Sequence, residues 1–337
     1  MVTIQAIVFA AFIVLDLFQV QAASAPTKVI IGHPTINSRI TALWIAQEQG
    51  FFTKHNTEAE LIFVRSTPIL ISSLASGYIS FAYGGGGAML GTAVAGENFK
   101  TIASFTPSIT NDLVARPGIN SPKDLYRKTV GVQSIGGTNW MSIMLWLEHL
   151  GLDAHRDGIR IQVIGDQMVR TQALEAGRVD AVAIDSIFSQ RLKQKGFVIL
   201  GDSHREKVPF VGGDLVVTKA SIQERYAALE NVLKALIEGL AFVVTPRNKR
   251  AVLETMAKRL KLSGPVGAEE GYQDLLSRME RKPYPSVEGL RNVQRLMKTL
   301  NPRVAEVKAE TLIDSSFIRK LDEGGFIDRL YGSYSEK

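Results

Sequence analysis

Leu74-Ala75-Ser76-Gly77 runs into Tyr78-Ile79-Ser80-Phe81-Ala82, and Leu174-Glu175-Ala176-Gly177 runs into Arg178-Val179-Asp180-Ala181-Val182. Each stretch reads as a helix end, a glycine that closes it and a short buried strand. The elements around each echo come in the same order. In the first half, strand patterns at Val29–His33, Glu60–Val64, Tyr78–Tyr83 and Thr101–Phe105 alternate with helix patterns starting near Arg39, Pro68 and the Gly84–Gly87 run. In the second half, strands are predicted at Thr129–Gln133, Ile159–Ile164, Val179–Ile184 and Phe197–Leu200. Helices between them end at Gly151, Gly177 and Gly196. Thr67, with Pro68 in the first turn, and Thr138 are predicted helix caps. A chain that alternates strand and helix in two like units predicts an α/β fold in two lobes, each a mostly parallel sheet flanked by helices.

Beyond Asp214 the character changes. Leu215–Thr218 reads as a strand, and Ser221 with Glu224 as a capping box for a helix reaching Val244. Helical patterns follow near 267–281, 286–300 and 314–323. This tail is expected to pack back on the first lobe, since the Leu215 strand needs a sheet to join; a separate bundle is the alternative. The chain then crosses between lobes twice, near 106–113 and 209–214, with Gly212-Gly213 giving backbone freedom at the second crossing. The expected organisation is a leader over 1–25, one lobe from 26–107 and 214–337, and the other from 108–213.

The leader reading rests on an apolar run from Ile4 to Val20 followed by Ala22, Ala23, Ser24 and Ala25. It predicts a secretory signal cleaved after Ala22 or Ala25, although no Lys or Arg precedes the run and Asp16 interrupts it. An uncleaved anchor is the competing reading, but a bilayer span takes about 20 apolar residues. The 337 residues contain no cysteine. That excludes disulfides, thiolate metal sites, a cysteine nucleophile and a lipid-modified cysteine anchor. The formal charge is +6, without the dense basic and aromatic run that would suggest nucleic acid. The five histidines form no metal-spaced pair, no Gly-x-Ser-x-Gly elbow is present, and the glycine run lacks a following Gly-Lys-Ser/Thr. No metal, cofactor or catalytic set is therefore expected.

Ligands in open α/β sheets bind beyond the carboxyl ends of the strands, where helix N-termini present free N–H groups. Five strand-to-helix joints carry small polar residues or glycine: Asn37-Ser38-Arg39, Ser66-Thr67, Gly84–Ala88 with Gly85 and Gly86, Ser134–Asn139 with Gly137 and Thr138, and Asp185-Ser186. The third reads as a tight turn beneath a small ligand, and the fourth as the strongest oxyanion candidate. Arg39 is placed to pair with a carboxylate or sulfonate. Asp185 either bonds a ligand donor or caps the next helix. Tyr83, Trp140 and His33 are candidate cleft liners whose simpler reading is core packing.

Ala42-Leu43-Trp44-Ile45-Ala46-Gln47-Glu48-Gln49-Gly50-Phe51-Phe52 resembles the first-helix signature of the nitrate/sulfonate/taurine-type periplasmic solute-binding proteins. The Leu74 and Leu174 motifs, the run Val114–Leu125 and the closing stretch Leu312–Phe326 are similar to further segments of that family. Ser80 departs from the family's aspartate. The resemblance implies a type II periplasmic-binding fold that closes over a small anionic organic solute and hands it to an inner-membrane ABC permease. It also implies a periplasmic monomer that is not an enzyme and carries no cofactor. It places the ligand near Ser38, Arg39, Thr67, Gly85, Ser134, Thr138 and Asp185. The superfamily includes enzymes of thiamine-pyrimidine synthesis, whose site resembles a cysteine-rich one that this chain cannot build. A lobe pair that signals to a membrane receptor is a third implied role.

Overall fold

The computed structural model describes residues 25–96 and 98–335; the predicted leader falls almost wholly outside them. Chain order gives β1 (Thr27–His33), β2 (Thr57–Phe63), β3 (Phe81–Tyr83), β4 (Phe99–Ser104) and β5 (Asn111–Ala115). There follow β6 (Thr129–Val132), β7 (Arg160–Val163), β8 (Ala181–Asp185), β9 (Val198–Gly201) and β10 (Asp214–Thr218). They build two five-stranded sheets, ordered β2-β1-β3-β10-β4 and β7-β6-β8-β5-β9. The two orders are the same pattern. Three parallel neighbours are followed by one antiparallel strand, and a last strand pairs antiparallel with that one. Four strands of each sheet thus point one way. The reversed strand, β5 or β10, is in each case the one that has just crossed from the other sheet.

β5 is a strand where the sequence suggested only a crossing. Asn111 and Asp112 gave it a polar start, which argues for loop. Every residue of β5 is nevertheless buried, because the Asp112 side chain and the Asn111 backbone find partners. Asp112 accepts from Ser189 Oγ at 2.5 Å and from Ser203 N and Oγ at 2.9 and 2.5 Å. Trp146 Nε1 donates to the Asn111 carbonyl at 2.9 Å.

The two crossings run side by side. Phe105 N donates to Gly213 O at 2.8 Å, Phe210 N to Pro107 O at 2.8 Å and Ile109 N to Val208 O at 3.0 Å. The lobes are thus joined by a narrow hydrogen-bonded ribbon, the kind of connection about which two-lobed folds hinge.

The helical tail packs on both lobes rather than on the first alone. The helix Tyr226–Val244 lies on Thr41–Glu48 and Phe51–Lys54, beside the first sheet. Glu269–Leu276 packs on Ser186–Gln194, and Val287–Met297 on Thr138–His149, both beside the second sheet. Buried Arg278 pairs with Asp274 at 2.5 Å and donates to Ile109 O at 2.9 Å and Ser203 Oγ at 3.2 Å. It thereby fastens the tail to both crossings. Local signals also resolve differently from expectation at Thr218. Its side chain accepts from Ser221 N and caps a short helix, Lys219–Glu224, which breaks at Arg225 before the long helix starts. Ser221 with Glu224 is therefore not the cap.

Gly239 shows how closely the long helix approaches the first. A Cβ there would collide with the Ala42 carbonyl and lie 3.2 Å from the Ala46 Cβ. Gly239→Val is expected to lower stability by about 3 kcal/mol, because neither helix backbone can yield without opening the interface. Urea denaturation checks this; a loss below about 0.5 kcal/mol would show the contact to be loose.

Candidate ligand-binding site

The carboxyl ends of the parallel strands in the two sheets face each other, and short polar side chains bridge the gap. After β1 the chain enters a 3-10 turn, Ser38–Ile40, that leads into Thr41–Glu48. Ser38 donates across the gap to Asp185 Oδ2, through N at 2.9 Å and Oγ at 2.5 Å. Asp185 ends β8, and its other oxygen accepts from Ile187 N at 3.2 Å. It therefore does two things at once: it caps Ser186–Gln194 and it holds the head of the opposite helix.

A second bridge joins Thr67 to Thr138. Their hydroxyl oxygens are 3.3 Å apart, and Thr138 N donates to Thr67 Oγ1 at 3.4 Å. Both are the first residues of their helices, with Ser66 and Gly137 in the N-cap positions. The expectation that Thr67 and Thr138 cap these helices is therefore corrected: each hydroxyl turns into the gap instead of back onto its own helix. Gln133 Nε2 adds a third bridge, donating to Pro34 O at 3.0 Å and Arg65 O at 2.7 Å.

The glycines fit beneath these contacts. Gly85 has φ +91°, and a Cβ on it would lie 2.9 Å from Thr67 Cγ2. A Cβ on Gly86 would lie 2.5 Å from Asp214 Oδ2, and one on Gly137 2.5 Å from Ser134 Oγ. Only a residue without a side chain lets the backbone come this close.

Arg39 is the charged centre. It is 6% exposed, and its charge is felt by Asp185, Asp214 and Tyr83. Burial pulls the guanidinium below its ordinary value, opposed by the two carboxylates. Asp214 starts β10 and is fully buried. Burial pushes its carboxyl up to about 7, against the Ser104 hydroxyl, the Arg39 charge and the Gly86 N–H. Ser104 Oγ donates to Asp214 Oδ1 at 2.7 Å. Tyr83 stacks on Phe105 with ring centroids 5.5 Å apart, and burial raises its hydroxyl above the usual range.

Around this centre, buried polar atoms have no protein partner. On the first-sheet side they are Asn37 Oδ1, Arg39 Nε, Tyr83 Oη, Thr106 Oγ1 and Asp214 Oδ2. On the second-sheet side they are Asn111 Oδ1, Ser134 Oγ, Ser186 Oγ and, close enough to feel the Arg39 charge, Arg170 Nε. Buried polar groups are almost always paired, so such a cluster on facing rims marks a place where something else pairs them. Among the described residues no group of three or more His, Asp or Glu is arranged to hold a metal ion, and no helix is long and apolar enough to cross a membrane. Outside the Ser38–Asp185 bridge, a groove of ≈ 440 Å³ is lined by Ile36, Phe63, Gln133, Met168, Arg170 and Phe188, among others.

All nine residues singled out from the sequence lie on these rims, in three groupings: Ser38 with Asp185; Thr67 and Gly85 with Thr138, Gly137 and Ser134; and Gly86 with Asp214 beside Arg39. Asp214, Thr106 and Asn111, whose buried polar atoms also lack partners, lie in the crossings, where the sequence points to a hinge and not to a site. An aspartate straight after Gly212-Gly213 and before an apolar strand was the available signal. His33 is a satisfied buried histidine, with Nδ1 2.8 Å from the Thr35 carbonyl oxygen.

Asp185→Ala removes the Ser38–Asp185 bridge between the lobes. It is expected to enlarge the radius of gyration in solution and to shift the lobes toward an open form. Small-angle scattering reads this; an unchanged radius would show that the tail alone holds the lobes together.

Two like-ordered sheets, a paired double crossing and facing strand ends define a two-lobed type II periplasmic-binding fold. The chain belongs to the NMT1/THI5-like family, whose profile matches residues 37–248. It is 28% identical over 141 residues to a binding protein of Brucella abortus, an overlap covering 42% of each chain. The chain thus spans under half the length of that curated relative. The periplasmic aliphatic sulphonate-binding protein SsuA of Escherichia coli superposes with a TM-score of 0.65 at 18% identity, covering 86% of this chain and 96% of that one. The periplasmic nitrate-binding protein NrtA of Synechocystis PCC 6803 superposes at 0.68 and 14% identity, covering 89% of both. The desulfurization enzyme DSZB shares the fold at 0.59 and 16% identity, covering 88% of this chain and 99% of that one.

Proposed function

We propose that the chain captures a small organic solute between its lobes outside the cytoplasmic membrane and delivers it to an ABC-type permease, as a monomer and without chemistry of its own. The observation that carries this reading is the ring of unpartnered buried polar atoms on both facing rims. A catalytic site needs a nucleophile, base or metal held by its own partners. Here the hydroxyls and amides are single, and Asp214 is held only by Ser104, Gly86 and the nearby Arg39 charge. Ser38, Arg39, Thr67, Gly85, Gly86, Ser134, Gly137, Thr138 and Asp185 form the proposed rim. Closure about the 105–110 and 202–213 crossings adds the second lobe's contacts to those of the first. Only the excess affinity of the solute for the closed form drives that motion.

The test is a thermal-shift screen of purified protein against sulfonates, carboxylates, inorganic oxyanions and nitrogenous solutes. A solute at a hundred times its dissociation constant should add about 2.7 kcal/mol. Thr138→Leu, which fills the space opposite Thr67, is expected to abolish the shift while leaving the circular dichroism unchanged. A hit that stabilises the folded Thr138→Leu protein as well as the wild type would place the solute elsewhere.

A further inference from the structure

The tail carries a concave surface that shares no residue with the gap. Ends of the helices Tyr226–Val244, Glu269–Leu276 and Phe326–Ser335 enclose a hollow of ≈ 800 Å³. Leu276 and Met279 give it apolar walls, and Tyr331 and Tyr334 give it aromatic ones. Arg247 and Arg281 complete the lining. The Arg281 guanidinium carbon lies 4.2 Å from the Tyr331 ring centroid, and that of Arg247 5.8 Å from the Tyr334 centroid. Tyr334 is itself anchored, since its hydroxyl donates to Glu238 Oε1 at 3.2 Å. A guanidinium resting on a ring keeps its N–H groups for a further partner.

Arginine beside the carboxyl end of a helix ordinarily serves the last carbonyls. Here other side chains do that. Thr245 Oγ1 donates to Ala241 O at 2.6 Å, Asn248 Nδ2 to Phe242 O at 3.1 Å and Tyr272 Oη to Val243 O at 3.2 Å. The neighbouring lysines have acids of their own. Lys282 meets Asp322 at 2.6 Å and Asp328 at 3.3 Å, and Lys249 meets Glu269 at 2.7 Å. Among the described residues, neither Arg247 nor Arg281 has a carboxylate or carbonyl partner. Both are exposed, so their N–H groups are open to a molecule that enters the hollow.

We propose that this hollow is a second binding site, for a planar organic dianion: a flat ring carrying a phosphate or two adjacent carboxylates. Two uncommitted guanidiniums match two negative charges and take them in paired N–H···O bonds. The ring of the guest lies against Met279 and the tyrosines, as flat apolar surfaces prefer. The site is independent of the gap and does not rest on the capture reading.

Titration calorimetry on the full-length protein tests it at about pH 8, where a phosphate ester carries close to two charges. Phenyl phosphate and phthalate are the probes. Phenol, benzoate and inorganic phosphate are the matched controls, each lacking the ring or part of the charge. The probes are expected to bind one to one and at least about tenfold more tightly than their controls. Raising the salt concentration should weaken them, because the charges are exposed. Arg247→Met and Arg281→Met, surface changes whose folding circular dichroism checks, should each weaken the probes about tenfold or more. Controls that bind as well as the probes overturn the proposal. So does an unchanged affinity in both folded variants, and so does the absence of binding by either probe at millimolar concentration.

Discussion

Arg39→Met is expected to abolish solute binding and to cost the folded protein about 3–5 kcal/mol near pH 8, the usual penalty for removing one member of a buried charged set. The loss should shrink on acidification. Without the guanidinium, the Asp214 carboxyl rises beyond the value of about 7 it has in the intact protein. A carboxyl raised in the folded state binds its proton more tightly there than in the unfolded chain. The folded state is therefore favoured most below the unfolded value of about 4, and the advantage drains away as pH climbs through the folded value. Urea denaturation at about pH 5 and about pH 8 measures the difference. Equal deficits at both would mean that Arg39 does not shield Asp214.

Asp214→Asn carries the complementary expectation. In the wild type the same linkage makes Asp214 cost stability progressively from about pH 4 to about pH 7. Three units correspond to roughly 4 kcal/mol, an order of magnitude that needs no discount for solvent because the group is fully buried. Asparagine does not titrate. The stability of the variant relative to wild type should therefore rise with pH across that window, on the order of 4 kcal/mol in all. Asp274, raised to about 6, and Asp112, also raised by burial, respond in the same sense in both proteins and cancel in the comparison. Parallel pH profiles for the two proteins would refute the assignment.

Much of the architecture was legible because it is written in short-range signals. Gly77, Gly151, Gly177 and Gly196 all have positive φ at helix ends, from +68° to +89°, and a glycine is the cheapest residue there. The apolar runs of β1, β3, β6 and β8 announced themselves by composition and length. β5 did not, because a strand whose aspartate is satisfied by partners 77 and 91 residues away reads locally as a turn. The tail was misplaced for a related reason. The amphipathic faces of Glu269–Leu276 and Val287–Met297 show that something covers them, not which lobe does so. At the site, strand-end geometry located the rim residues. Which of them face one another depends on closure, so neither the Ser38–Asp185 bond nor the burial of Asp214 beside Arg39 could be read from spacing.

The interleaving of β10 has a consequence for how the molecule is made. β10 separates β3 from β4 in the first sheet, and it is the last strand among the described residues. A nascent polypeptide therefore carries this sheet as two disconnected pieces until residue 218 has been synthesised, after all of β5–β9. The N-terminal half cannot lock early and wait. Its completion is tied to the arrival of a distant segment, a long-range closure that slows folding and keeps the growing chain pliable.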